Sequence, residues 1–299
     1  EDGVPIGVAQ GRGAGTAGLL DYYAGLAEAY PFEDVRPSHG MMSKVAVVVR
    51  EPVGVVAAVA PWNGPLASLL IKLAPAPATG CPVILKPPPE TPLEASMLAE
   101  AAEEAGFPEG VINLLPADRE ASDLLVRHPG VDKVAFTGST EVGLHIAQVC
   151  ASRMARFTME LGGKSAAIIL DDYEPEAMGP ALAPMITLLC GQVCINFSRV
   201  LVPRARKDAY VESLAAAMAA TSVGDPLDAA TAMGPLAMAR HHAKVSSYFD
   251  KGVAEGARIA TGGRRPPSLN SGYYVEPTVF ADAANPMGIA QEGIFGPGT

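Results

Sequence analysis

Short apolar runs alternate along the chain with segments in which apolar residues recur every three or four positions. That alternation predicts strands interleaved with helices and a largely parallel sheet. Residues 53–59 form a continuous apolar run, as expected of a strand covered on both faces. A turn at 61–65 and a short helix at 66–74 follow. Residues 82–86 predict a second strand, stopped by three prolines. Residues 91–105 predict an amphipathic helix with Thr91 as its cap, Pro92 in its first turn and Gly106 as its stop. Strands at 111–115 and 133–136 and a helix at 141–152 complete the first half. Such repeated units predict an α/β fold with a doubly wound, Rossmann-like sheet and a ligand at the strands' carboxyl ends. The second half predicts strands at 166–170 and 199–202 and helices at 176–189, 208–220 and 240–255. Residues 38–51 read as an antiparallel strand between the first helix and the sheet.

With 299 residues, 49% of them hydrophobic, the chain can fill two cores. Its net charge of −10, with basic residues scattered singly or in pairs such as Arg264 and Arg265, argues against nucleic acid or an anionic membrane as partner. Two uncharged stretches, 53–71 and 177–198, are long enough to span a bilayer. Pro61, Asn63, Gly64 and Pro65 interrupt the first, and Gly179, Pro180, Pro184, Gly191, Gln192 and Asn196 the second, which suits buried strands and helices better than lipid. The four cysteines, Cys81, Cys150, Cys190 and Cys194, have no repeating spacing, which argues for a reducing, cytoplasmic compartment rather than a disulfide framework. No basic segment leads into an apolar one at the start, so a signal peptide is not expected, and the ending at Thr299 directly after an apolar motif reads as a cut.

Four motifs carry candidate chemistry. Glu160 sits between apolar residues at a strand-like position, where burying a carboxylate is costly unless something uses it; a hydrogen-bonded structural glutamate fits there too. Gly162 and Gly163 after it suggest unusual backbone geometry or room for a ligand. Cys190 and Cys194 are candidate nucleophiles, each equally readable as a small core residue. No histidine lies near them to complete a metal site, and His241 and His242 read as surface or core residues. Asn63, in the turn Pro61-Trp-Asn-Gly-Pro65, offers an amide to an oxyanion or simply forms the turn. Residues 136–143 form a strand, a glycine turn and a helix start that suit a phosphate, although the pattern is not G-x-G-x-x-G.

Taken in order, Arg50-Glu-Pro-Val-Gly-Val-Val56, Pro61-Trp-Asn63, Lys86-Pro87, Phe136-Thr-Gly-Ser-Thr140, Glu160-Leu-Gly-Gly-Lys164, Gly191-Gln-Val-Cys194 and Ile294-Phe-Gly-Pro297 make the chain resemble the aldehyde dehydrogenase superfamily over nearly all its length. The resemblance implies a cofactor domain at 1–33 and 53–161, an oligomerisation strand at 34–52 and a catalytic domain at 162–299. It implies oxidation of a small-molecule aldehyde to an acid with NAD or NADP. Cys194 would be the nucleophile, Asn63 with the Cys194 N–H the oxyanion site, and Glu160 the base for water. Lys86 would meet the adenosine ribose, and Ser139 with Gly138 the pyrophosphate. Val59, Trp62, Leu161 and Phe295 would be further cofactor contacts. Family members run longer at both ends and form homo-oligomers, dimers or tetramers. Departures are Pro89, Leu189 and Gly293 where relatives carry glutamate, asparagine and glutamate, and Gly64 where many carry phenylalanine, which implies a wider pocket for bulky aldehydes. With the missing ends, the strand at 38–51 would lie alone with an open edge. Two other activities fit the same residues: a silent relative that binds nucleotide or a partner, and a cofactor-free thioester hydrolase.

Overall fold

The computed structural model describes residues 2–37 and 45–299. They form two compact units, Arg12–Leu161 and Glu1–Gly11 with Gly162–Thr299. Ahead of the main sheet run helix α1 (Ile6–Ala29) and strands β1 (Glu33–Pro37) and β2 (Val45–Val49). The sheet of the first unit then builds from β3 (Val56–Val59), α2 (Pro65–Leu73), α3 (Pro75–Ala78), β4 (Val83–Lys86), α4 (Leu93–Glu104), β5 (Ile112–Leu114), α5 (Arg119–Arg127), β6 (Lys133–Gly138), α6 (Thr140–Ala151) and β7 (Arg156–Leu161).

The five strands run in the order β5-β4-β3-β6-β7, every pair parallel. All four residues of central β3 are buried. Val56 and Ala58 pack to one side with Leu69, Leu73 and Leu85; Ala57 and Val59 pack to the other with Val134, Phe136 and Ile146. Two-sided burial is why this strand reads as an unbroken apolar run. Ala57 and Ala58, both 0% exposed, leave space for the layers on either face. The strand order reverses between β3 and β6, which opens a crevice at their carboxyl ends.

Several expectations from sequence shift. The first strand starts at Val56, not 53, because Gly54 takes φ 108° and the Asp132 carboxylate accepts the Val55 N–H at 2.8 Å. Thr91 does not cap α4: Pro92 holds the cap position, and the Thr91 hydroxyl donates to the Trp62 carbonyl at 3.2 Å. Residues 119–127, for which the apolar pattern predicted no element, form helix α5, with Asp118 capping it by accepting the Ala121 N–H. Strand β2 is not alone, since it pairs antiparallel with β1 from Glu33↔Val49 to Pro37↔Val45; residues 38–44 of the expected strand lie outside the described residues.

The second unit carries the parallel pair β8 (Ser165–Ile168) and β9 (Phe197–Leu201), with α7 (Pro175–Thr187) between them. Helices α8 (Lys207–Ala219) and α9 (Ala239–Ala254), the antiparallel pair β10 (Arg258–Thr261) and β11 (Val279–Ala281), and the short α10 (Gly288–Gln291) follow. Its core has two clusters, one around Met178, Ile186, Tyr210 and Met218, the other around Cys190, Leu236, Val245 and Phe280. No helix among the described residues is long and apolar enough to cross a membrane.

The tightness of the β3 layer is testable. Ala58→Leu is expected to lower the unfolding free energy by about 1–3 kcal/mol through overpacking, read as a lower urea midpoint. An unchanged midpoint would show that the layer has spare room.

Candidate functional site

In the first unit the candidate residues line up along the carboxyl ends of the strands. Val59 closes β3 and is in register with Lys86, which closes β4, and with Phe136 in β6. The turn after β3 carries Trp62 and Asn63, both half-buried, and leads into α2. Helix α4 and the residue just ahead of its cap fix that turn twice. Thr91 donates to the Trp62 carbonyl, and the Glu94 carboxylate accepts the Leu66 N–H at 2.8 Å, a cap that Gly64 cannot provide. Strand β6 ends at Gly138, where a Cβ would strike the Phe136 ring at 2.4 Å. Ser139 then caps α6, accepting the Val142 N–H at 3.4 Å. Lys86 is buried; burial lowers the pKa of its ammonium, and the Glu90 and Asp118 carboxylates pull it back up.

Glu160 and Leu161 end β7, in register with Thr137 and Gly138. The sequence suggested a buried glutamate, but Glu160 is exposed, because β7 is an edge strand and only Met159 and Leu161 turn inward. Gly162 and Gly163 do not take the positive φ that the sequence suggested; a Cβ at Gly162 would meet nothing within 4 Å, so open space is what they provide. Sequence reasoning missed Lys72, the lone charge in α2. Its Nζ donates to Thr137 Oγ1 at 2.6 Å and to the Ser68 carbonyl at 3.0 Å. Burial lowers its pKa to about 8, and the Glu160 carboxylate acts in the opposite direction. The signal available was a single lysine in an otherwise apolar helix.

In the second unit, the chain beyond α7 makes a left-handed turn: Leu189, Cys190 and Gly191 have φ of 51°, 59° and 70°. Left-handed backbone costs about 1–2 kcal/mol for each residue with a side chain. Leucine suits position 189 poorly, since asparagine adopts that conformation more readily. Gly191 has no alternative, since a Cβ would lie 2.2 Å from the Gly296 carbonyl. The turn separates the two candidate thiols. Cys190 is buried with its Sγ donating to the Gly234 carbonyl at 3.3 Å, and burial pushes its pKa up to about 12. Cys194 is exposed, while Cys81 and Cys150 are buried. No group of metal-binding side chains occurs among the described residues.

Phe295, half-buried with φ 60°, belongs to a turn whose Gly296 and Pro297 abut Gly191. Gly293 offers no carboxylate, and the adjacent Glu292 is engaged by Lys251 at 2.9 Å and by the Tyr248 hydroxyl at 2.8 Å. Asn63, Glu160 and the dinucleotide candidates thus belong to the first unit, and Cys194 and Phe295 to the second.

The sequence matches the profile of the aldehyde dehydrogenase family over residues 1–298. The chain belongs to the aldehyde dehydrogenase family. A geranial dehydrogenase of Castellaniella defragrans is 49% identical over 99% of this chain and 62% of its own length. A betaine aldehyde dehydrogenase of Sinorhizobium fredii is 42% identical, covering 94% of this chain and 57% of its own. Among solved structures, a Mycobacterium tuberculosis aldehyde dehydrogenase complexed with NAD+ superposes with a TM-score of 0.94 at 40% identity, over 99% of this chain and 61% of that one. An NAD+ complex of a Bacillus cereus aldehyde dehydrogenase gives 0.92 at 39% identity, over 99% and 60%. The chain therefore spans about 60% of the length of these aldehyde dehydrogenases.

Two predictions follow from this geometry. Iodoacetamide acting on the folded chain is expected to alkylate Cys194 alone, as read by peptide mass spectrometry; equal labelling of Cys190 would contradict the burial that separates them. Lys164 in the second unit has its Nζ buried without a hydrogen-bond partner, and burial, with Arg199 nearby, lowers its pKa to about 8. Between that value and the ordinary 10.5, the unfolded chain holds a proton that the folded chain releases, so stability rises with pH across that window. Lys164→Met is therefore expected to raise Tm by about 2–4 °C at neutral pH, and the gain should shrink as pH approaches 10.5. A gain that does not change with pH would show that the ammonium is not the cause.

Proposed function

We propose that this chain carries the catalytic and coenzyme residues of an NAD(P)-dependent aldehyde dehydrogenase that converts an aldehyde to a carboxylic acid. The observation that carries the reading is that Cys194, in the stretch Gly191-Gln-Val-Cys194, is the one exposed thiol of four. A dinucleotide fits the first unit on physical grounds. The strand-order reversal leaves a crevice at the carboxyl ends of β3 and β6, and the α6 N-terminus, capped by Ser139, directs its first-turn N–H groups to an anion there. Ser139 and Gly138 would hold the pyrophosphate, Lys86 the adenosine ribose, and Val59, Trp62, Leu161 and Phe295 further parts of the coenzyme. When bound, the nicotinamide supplies the acceptor for the aldehyde's hydride.

The protein residues do the rest. The Cys194 thiolate adds to the carbonyl carbon, and the π pair moves onto oxygen. The Asn63 amide and the Cys194 N–H donate to that oxyanion. Loss of hydride from the thiohemiacetal leaves a thioester on Cys194. Glu160 takes a proton from water, whose oxygen attacks the thioester, releasing the acid and regenerating the thiolate. The exposure of Glu160 suits a group that must meet water. For the longer form we propose a homo-oligomer, in which the exposed Val35, Val47 and Val49 of β1 and β2 supply apolar surface.

One observation favours a second reading, a silent relative that binds coenzyme without turnover: position 293 lacks the family's glutamate, and Glu292 is already engaged. The deciding experiment follows NAD(P)H formation with both coenzymes and geranial, betaine aldehyde or acetaldehyde, beside Cys194→Ala and Glu160→Gln. Turnover abolished by Cys194→Ala supports the dehydrogenase; coenzyme-induced thermal stabilisation without turnover supports the silent relative. A Cβ at Gly64 would meet nothing within 4 Å, so Gly64→Phe fits the backbone and fills open space. That variant is expected to cut turnover of bulky aldehydes by about tenfold or more while sparing acetaldehyde. Unchanged bulky-substrate turnover would remove the idea of a widened pocket.

A further inference from the structure

Two buried side chains of the second unit take no part in the reaction above. Gln192 is 1% exposed and His241 7% exposed. We infer that Gln192 and His241 are positioning residues that fasten the Cys194 loop and the Phe295 turn to one common anchor, the start of α9, so that the stance of Cys194 is set from residues 237–241. The catalytic consequence rests on reading Cys194 as the nucleophile; the clasp itself does not.

The left-handed turn Leu189–Gly191 is costly and persists only if its surroundings over-determine it. Gln192 does much of this. Its Nε2 donates to the Leu189 carbonyl at 3.1 Å, its backbone N–H donates to the same carbonyl at 3.0 Å, and its Oε1 accepts the Ala237 N–H at 3.0 Å. The site needs a donor and an acceptor on one side chain, which glutamate or methionine cannot supply. On the far side of Cys194, the buried Asn196 donates from Nδ2 to the Gly191 carbonyl at 3.3 Å. The nucleophile therefore lies between two amide-held points.

The Phe295 turn presses on the same place, with the Gly296 carbonyl and Pro297 nitrogen occupying the space where Gly191 would carry a Cβ. That turn is held by His241, whose Nε2 lies 2.7 Å from the Phe295 carbonyl and whose ring meets the Phe295 ring edge-on at 5.9 Å. A carbonyl only accepts, so Nε2 carries the proton. Burial lowers the His241 pKa to about 4, which keeps the ring neutral. Ala237 precedes α9 and His241 lies in its first turn, so both fastenings end within five residues of each other.

Hydrogen exchange with mass-spectrometric readout on the full chain tests this. His241→Ala removes a group that touches the Phe295 turn, yet the clasp predicts about tenfold faster exchange in residues 189–196 as well as 294–298, the scale of one lost hydrogen bond. Strands β3 and β6 should not change. His241→Gln, whose Nε2 reaches about as far and still donates, should restore protection in both segments. Gln192→Met should likewise free 189–196. Faster exchange confined to 294–298 would overturn the inference, as would a His241→Gln variant no better protected than His241→Ala. If His241→Ala does not fold, Gln192→Glu, which keeps only the acceptor, gives the mirrored comparison: the clasp predicts faster exchange in 294–298 as well as 189–196, and a change confined to 189–196 would overturn it. In turnover assays the clasp variants should lose kcat with KM held. Turnover that survives Cys194→Ala would instead remove the nucleophile assignment and leave the exchange result standing.

Discussion

A parallel sheet covered on both faces must satisfy its backbone along the strands, so polar side chains and helix N-termini collect at the strand ends. Much of the first unit follows from that constraint. Burial of Val56, Ala57, Ala58 and Val59 on two sides excludes any functional group from the middle of β3. Polar side chains are displaced to the residues just beyond, and the candidates Asn63, Lys86, Ser139 and Glu160 all stand at or next to a carboxyl end. The same constraint explains why α4 must help hold the turn after β3. A tight exit from a buried strand leaves amides that its own residues do not satisfy, and Thr91 and Glu94 meet that need.

The second unit works by a different economy. Its nucleophile candidate is presented by a loop in an unfavourable conformation; neutral amides hold that loop, and a neutral imidazole holds the Phe295 turn that packs against it. Neutral clamps have a physical advantage in a buried support, because they add no buried charge to be compensated. Where this unit does bury a charge, at Lys164, burial brings its pKa down to about 8.

The fold was legible in sequence to the extent that burial patterns are local. Continuous apolar runs marked β3, β4 and β6, and periodic stretches marked α4, α6, α8 and α9 to within a few residues. What escaped depends on partners distant in sequence. Thr91 looked like a cap, but its hydroxyl finds the Trp62 carbonyl instead. Glu160 looked buried because its neighbours are apolar, and nothing local reveals that its strand is an edge. For the candidate site, the motifs gave positions but not supports. Lys72, Gln192 and His241 are ordinary residues by type, and their importance comes from Thr137, Ala237 and Phe295. Leu189 and Cys190 also gave no warning of left-handed backbone, since neither residue type prefers it.

In the proposed reaction Cys194 carries the acyl group. The most direct measurement is acid quenching of Glu160→Gln with aldehyde and oxidised coenzyme, followed by intact and peptide mass spectrometry. An acyl adduct is expected on the peptide bearing Cys194 and nowhere else, and it should be absent in Cys194→Ala. Coenzyme reduced in step with aldehyde consumption while that peptide stays unmodified at every quench time would contradict it.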